Sequence, residues 1–162
     1  MKEIFDSLPK TNLSENDLIL IDTCFFIHTF QHQNEKEFAK LCEKEKVAMT
    51  DFNVNEFLHV EHKIDERVRE NARKWLKKNS CLMVLQTGIH PGNKETERAF
   101  VDMIEPRLLE EVEDPSDAVL MAAAIKTHST VLTRDKHHLF TVKLENYLRE
   151  FNLKVYNNFK MQ

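Results

Sequence analysis

Short apolar runs separated by stretches of helical periodicity constrain this chain more than any other feature. Leu18-Ile19-Leu20-Ile21, Val47-Ala48-Met49, Cys81 to Leu85 and Thr130 to Thr133 are such runs, and Lys154-Val155-Tyr156 closes the series. Runs that do not alternate with polar residues predict strands buried on both faces. Between them, helical spacing is expected from Cys24, over Glu35 to Glu45, and in one long region from about Asn53 to Lys78. Further helices are expected over Lys94 to Glu111, Ala118 to Thr127 and Leu144 to Phe151. Phe38, Leu41 and Cys42, then Phe57, Leu58, Ile64, Val68 and Trp75, are the inward positions that this spacing selects. Strands alternating with helices imply an α/β fold on a mainly parallel sheet, whose ligands bind at the carboxyl ends of the strands.

The chain has 162 residues, which suits one domain over 1–162. Its core spans about 18–156, after a polar N-terminal extension, 1–17, with at most a helical turn near Ile4 to Leu8. Only two glycines and four prolines leave too few turn residues for a sandwich of many short strands. Cys24, Cys42 and Cys81 lack C-x-x-C spacing and read as reduced, mostly buried thiols of a cytoplasmic protein. No apolar run reaches membrane-span length, and MKEIFDSLPK lacks the apolar core of a signal peptide. With 23 basic and 27 acidic side chains the net charge is −4, so the chain carries no general basic footprint for nucleic acid.

Acidic residues fall where a parallel sheet binds ligands. Asp22 ends the first strand, and Asp135 lies two residues past the fourth. Glu56 is expected in the first turn of the helix after the second strand, and Asp117 in the first turn of the helix before the fourth. Carboxylates gathered at one sheet edge repel one another unless a cation sits among them, and hard oxygen ligands suit Mg²⁺ or Mn²⁺. Each acid also has a local structural role to offer. Asp114-Pro115-Ser116-Asp117 is a strong helix start, Asn53 can cap a helix with Glu56 reaching back, Asp22 can cap a helix, and Asp135 suits a turn.

Four segments together resemble the PIN-domain family: LILIDTCFFI, MTDFNVNEF, SDAVLMAAAI and VLTRDKHHLF. The resemblance implies a three-layer α/β/α domain and a Mg²⁺- or Mn²⁺-dependent endoribonuclease that cleaves single-stranded RNA. It implies Asp22, Glu56, Asp117 and Asp135 as metal ligands and catalytic acids. Thr23 is expected to steady the first carboxylate and Thr133 the fourth, with Asp114 as an outer contact. Many relatives are toxins of toxin–antitoxin pairs, so an antitoxin protein and a homodimer are implied partners. The alternative is a non-catalytic PIN-like module that binds RNA or protein. The chain departs from a minimal member of the family by additions before Asp17 and between Thr87 and Asp114.

Arg134 and Lys136, with His137 and His138, flank Asp135 and are weak candidates for RNA contacts against the reading of a solvated turn. Arg67, Arg69, Arg73, Lys74, Lys77 and Lys78 are interleaved with Glu61, Asp65, Glu66 and Glu70, which favours a salt-bridged exposed helix over a phosphate stripe. His28/His32 and His59/His62 have one-face helical spacing, but no further Cys or His partner completes a zinc site. Phe25, Phe26, Phe30 and Trp75 are expected in the core rather than as base-stacking platforms. The third strand ends in Leu85-Gln86-Thr87, without the Asp that a phospho-receiver needs, and no glycine-rich phosphate loop is present.

Overall fold

The computed structural model describes residues 1–134 and 142–162. In chain order its elements are α1 (Lys2–Ser7), β1 (Lys10–Asn12), β2 (Ile19–Ile21), α2 (Thr23–Gln31), α3 (Glu35–Lys44), β3 (Val47–Thr50) and α4 (Asp51–Val60). There follow a 3₁₀ turn (Glu61–Lys63), α5 (Glu66–Lys78), β4 (Met83–Gln86), α6 (Lys94–Ile104) and α7 (Leu108–Glu111). The chain closes with α8 (Pro115–Thr127), β5 (Thr130–Leu132), α9 (Val142–Arg149) and β6 (Val155–Tyr156). Among the described residues the strands form one six-stranded sheet in the order β1-β4-β3-β2-β5-β6, and every pairing is parallel.

Side chains alternate across this sheet with period two, so each apolar run feeds two cores. Leu20, Ala48, Leu85 and Val131 face a cluster that holds α8 and the buried sides of α6 and α9. Ile19, Ile21, Val47, Met49, Val84 and Leu132 face the other, with α2, α3 and α5. The second core is aromatic: Phe38 stacks on Trp75 at 4.2 Å between ring centroids, and Phe26 meets Phe30 at 5.0 Å and Phe57 at 5.2 Å. These phenylalanines and Trp75 are thus packing residues, and the arrangement is the α/β/α layering expected of the sequence.

Four expectations need correction. The extension 1–17 is not irregular, because β1 adds an edge strand against β4 in the register Lys10↔Val84. Its sequence, Lys-Thr-Asn, has no apolar pattern; its stability comes from pairing and from Lys10, whose Nζ donates to the carbonyls of Phe5 and Leu8 at 2.8 and 2.6 Å. The long helix after the second strand is two, divided at Ile64, where the backbone is extended and Asp65 caps α5 by accepting from the Arg67 N–H at 2.9 Å. The helix expected over Lys94 to Glu111 likewise breaks between α6 and α7, at Glu105-Pro106, since proline has no N–H and clashes with the preceding turn. Of the three thiols only Cys42 is buried; Cys24 is exposed and Cys81 half-buried. Burial and the Cys81 thiol push the Cys42 thiol pKa upward. Among the described residues no helix is long and apolar enough to cross a membrane.

Candidate active site

Strand order makes the site. The chain runs from β2 outward through β3 to β4, then returns to β5 on the other flank of β2. The reversal leaves a crevice between the carboxyl ends of β2 and β5, the place where open parallel sheets bind ligands. Asp22 follows β2 directly and is 6% exposed. Its Oδ1 accepts from the Phe25 N–H at 2.6 Å, capping α2, and its Oδ2 accepts from the Thr133 hydroxyl. Asp22 therefore does cap a helix, as its local sequence allows, while its second oxygen is held by the neighbouring strand.

Glu56 has no such local task. Its helix starts earlier than its sequence suggests: Thr50 is the cap, accepting from the Asn53 N–H at 3.0 Å, so Glu56 lies in the second turn of α4 rather than the first. The idea that Glu56 reaches back to cap at Asn53 is overturned. Instead the Asn53 side chain, fixed by the Thr50 hydroxyl at 2.6 Å, donates to Glu56 Oε1 at 3.0 Å. Burial comes first among the forces on this carboxyl, then repulsion from Asp22 and, more weakly, Asp117; together they push its pKa from about 4.5 up to about 7. The hydrogen bonds from Asn53 and Thr23 oppose that rise without cancelling it.

Asp117 enters at the third position of α8, behind Asp114, whose carboxylate accepts from the Ser116 N–H at 3.0 Å. Asp22, Glu56 and Asp117 line one cavity of about 80 Å³ with Thr23, Cys24, Asn53, Ser116 and Leu120. A water takes about 30 Å³ of liquid volume, so this space suits a small ion and its waters. Asp114 is exposed, outside that lining, and is paired with Lys94 Nζ at 2.6 Å. The salt bridge with Lys94 holds the Asp114 carboxyl below the usual aspartate range.

Both threonines hydrogen-bond to groups of other elements. Thr23 Oγ1 donates to the Asn53 carbonyl at 3.0 Å and approaches Glu56 Oε1 at 3.5 Å. Thr133 serves Asp22. Arg134 donates to the Asn157 carbonyl at 3.0 Å, which ties it to the C-terminal segment. Asp135, Lys136, His137 and His138 lie outside the described residues. Along α5, Arg73 pairs with Glu70, in keeping with a salt-bridged helix. His28 and His32 stack at 4.0 Å, and burial followed by the Arg134 charge lowers the His28 pKa.

Sequence reasoning missed the supports. Asn53 stands one helical turn before Glu56, a spacing that would have marked it. Glu97 of α6 is fully buried, and its carboxyl accepts from the Ser116 hydroxyl at 3.0 and 3.1 Å and from the Gly92 N–H at 3.4 Å. Its burial could not be read locally, because Ser116, which makes its shortest hydrogen bonds, is on another helix.

In chemistry the donors fit a hard divalent cation: all are oxygens, and the mutual repulsion that lifts Glu56 is what a cation relieves. Among the described residues, however, no three His, Cys, Asp or Glu side chains are gathered closely enough to hold an ion as they stand.

The fold and site define a parallel-sheet α/β protein with carboxylates at its topological switch point. The PIN domain profile matches residues 19–142, and the chain belongs to the PIN-domain family. No curated protein sequence matches it. Among solved structures, it is similar to a chain in the crystal structure of VapBC2 from Rickettsia felis bound to a DNA fragment from their promoter. The TM-score is 0.55 at 14% identity, over 86% of this chain and 97% of that one, a likeness of fold.

Proposed function

We propose that this protein is a Mg²⁺- or Mn²⁺-dependent endoribonuclease that hydrolyses phosphodiester bonds of single-stranded RNA. The observation that carries the reading is geometric: Asp22, Glu56 and Asp117 line one small cavity at the carboxyl end of β2, and Glu56 has no capping role there. Carboxylates brought together with no structural task are costly unless a cation joins them, and a carboxylate beside a bound cation can accept a proton from an attacking water. A bound divalent cation would neutralise the acids and favour an activated water for in-line displacement at phosphorus. Asp22 and Asp117, with Asp135, would hold the ion; Thr133 orients Asp22, and Asn53 and Thr23 orient Glu56. Glu56 would take the proton of the attacking water as the phosphorus–oxygen bond to the leaving group breaks.

Family membership and the fold likeness to a VapBC2 chain support a toxin role with an antitoxin partner; a homodimeric state and a cytoplasmic location belong to the same proposal. The whole chain, 1–162, would act as one domain. The second reading is a non-catalytic PIN-like module that binds RNA or protein. Cleavage of labelled single-stranded RNA in Mn²⁺, Mg²⁺ or EDTA separates the two, with Asp22→Asn and Asp117→Asn as comparisons. Asparagine still caps a helix, so Asp22→Asn should keep the fold and lose cleavage. Undiminished cleavage in both variants would sink the assignment, and binding without cleavage in any metal would favour the module.

A further inference from the structure

The cavity of about 80 Å³ at the acids has the size of an ion with its waters, and a bound RNA strand would extend beyond it. One groove continues outward from Glu56. It measures about 510 Å³ and is lined by Asn55, Glu56, His59, Val60, His90, Pro91 and Gly92. Glu56 lines both spaces, so a group seated at the inner end of the groove lies against Glu56. Its walls come from α4 and from the loop after β4, part of the addition that sets this chain apart from a minimal member of its family.

That loop is held in place. Asp51, the first residue of α4, accepts from the Thr87 N–H at 3.0 Å and the Gly88 N–H at 2.9 Å. At the other end the Gly92 N–H donates to buried Glu97 at 3.4 Å. Two carboxyl groups thus pin residues 87–92, and Gly88 and Gly92 take positive φ, +78° and +103°, at the bends. Between the pins His90 is exposed, with Nδ1 3.4 Å from the Asn55 amide nitrogen. His59 is also exposed, three residues past Glu56 and so on the same side of α4.

We infer that this groove is a base-binding subsite, which takes an unstacked nucleobase beside the scissile phosphate through the imidazoles of His59 and His90 and the amide of Asn55. Proteins that read single-stranded RNA splay bases onto rings, histidine included, and bond their edges with side-chain amides. A volume of about 510 Å³ lies within the range of small-ligand clefts. The inference rests on the ribonuclease reading above.

The test is a cleavage assay of the full chain with Mn²⁺. Short single-stranded RNAs would be used intact or with one abasic nucleotide stepped through the positions around the cut. Wild type should lose about tenfold in kcat/KM when the abasic site falls in the groove, the scale of a lost base stack. His59→Ala and His90→Ala should raise KM about tenfold on intact RNA and show no further loss at that abasic position. His90→Phe, which keeps a ring, should restore most of the affinity. Matching melting temperatures separate these effects from misfolding. Variants that cleave like wild type, or that remain as sensitive to the abasic site, would overturn the subsite and leave the nuclease reading standing. If wild type cleaves no RNA in any metal, both readings fall together.

Discussion

Replacing Glu56 by glutamine should stabilise the metal-free protein at high pH and leave it unchanged at low pH. The Glu56 carboxyl titrates near 4.5 when unfolded and at about 7 in the folded chain, because burial and Asp22 penalise its charge. Between those values the native state binds more protons than the unfolded state, so its stability falls as pH rises. At about 1.4 kcal/mol per pH unit the loss comes to about 3 kcal/mol by pH 8, reduced by the carboxyl's partial exposure to about 2 kcal/mol. Glutamine carries no charge and can still accept from Asn53, so it escapes that cost. For a chain of this size about 2 kcal/mol corresponds to a rise of roughly 4–8 °C in melting temperature. The assay is thermal unfolding of wild type and Glu56→Gln in EDTA at pH 5 and pH 8. Equal melting-temperature differences at both pH values would refute the reasoning, as would a variant less stable than wild type at pH 8. Adding Mn²⁺ at pH 8 should raise the melting temperature of wild type more than that of the variant, since ligand bound only to the native state stabilises it.

Three further outcomes follow from the supports of the site. Glu97→Ala should lower stability by about 1 kcal/mol in urea unfolding, because it removes the acceptor of the half-buried Ser116 hydroxyl and of the Gly92 N–H; a change under about 0.5 kcal/mol would mean that the contact is dispensable. Asp51→Ala should free the 87–92 loop, read as faster hydrogen exchange at the Thr87 and Gly88 amides with little change in the strands. Phe38→Ala removes a fully buried ring stacked on Trp75 and should cost about 3–5 kcal/mol, seen in the unfolding midpoint and in a shift of tryptophan fluorescence.

What was legible in the sequence were features carried by local chemistry. The strands Ile19–Ile21 and Val47–Thr50 show as apolar runs because both their faces are covered. The start of α8 shows as Asp114-Pro115 because a cap and a proline stand side by side in the chain. Asp22 and Asp117 could be placed because each abuts such a feature. β1 could not be found, since a Lys-Thr-Asn strand exists only through its pairing with β4. Nor could the end of the long helix, although Asp65-Glu66 carries a capping signal that its charged surroundings obscured.

The threonine hydrogen bonds show where chain neighbourhood stops being a guide. Thr23 follows Asp22 in sequence, so it is the natural candidate to steady that carboxylate. In the sheet, however, β2 and β5 pair with Ile21 opposite Leu132. The next residue on each strand is then Asp22 and Thr133, and the Asp22 N–H donates to the Leu132 carbonyl at 3.0 Å. Parallel register alone sets the Thr133 hydroxyl beside the aspartate, 111 residues away along the chain. Thr23, already turned into the first position of α2, faces α4 and reaches Glu56 instead. Each hydroxyl therefore serves an acid from another element, and these two contacts, added to the local ones from Phe25 and Asn53, exist only once β2, β5 and α4 have come together.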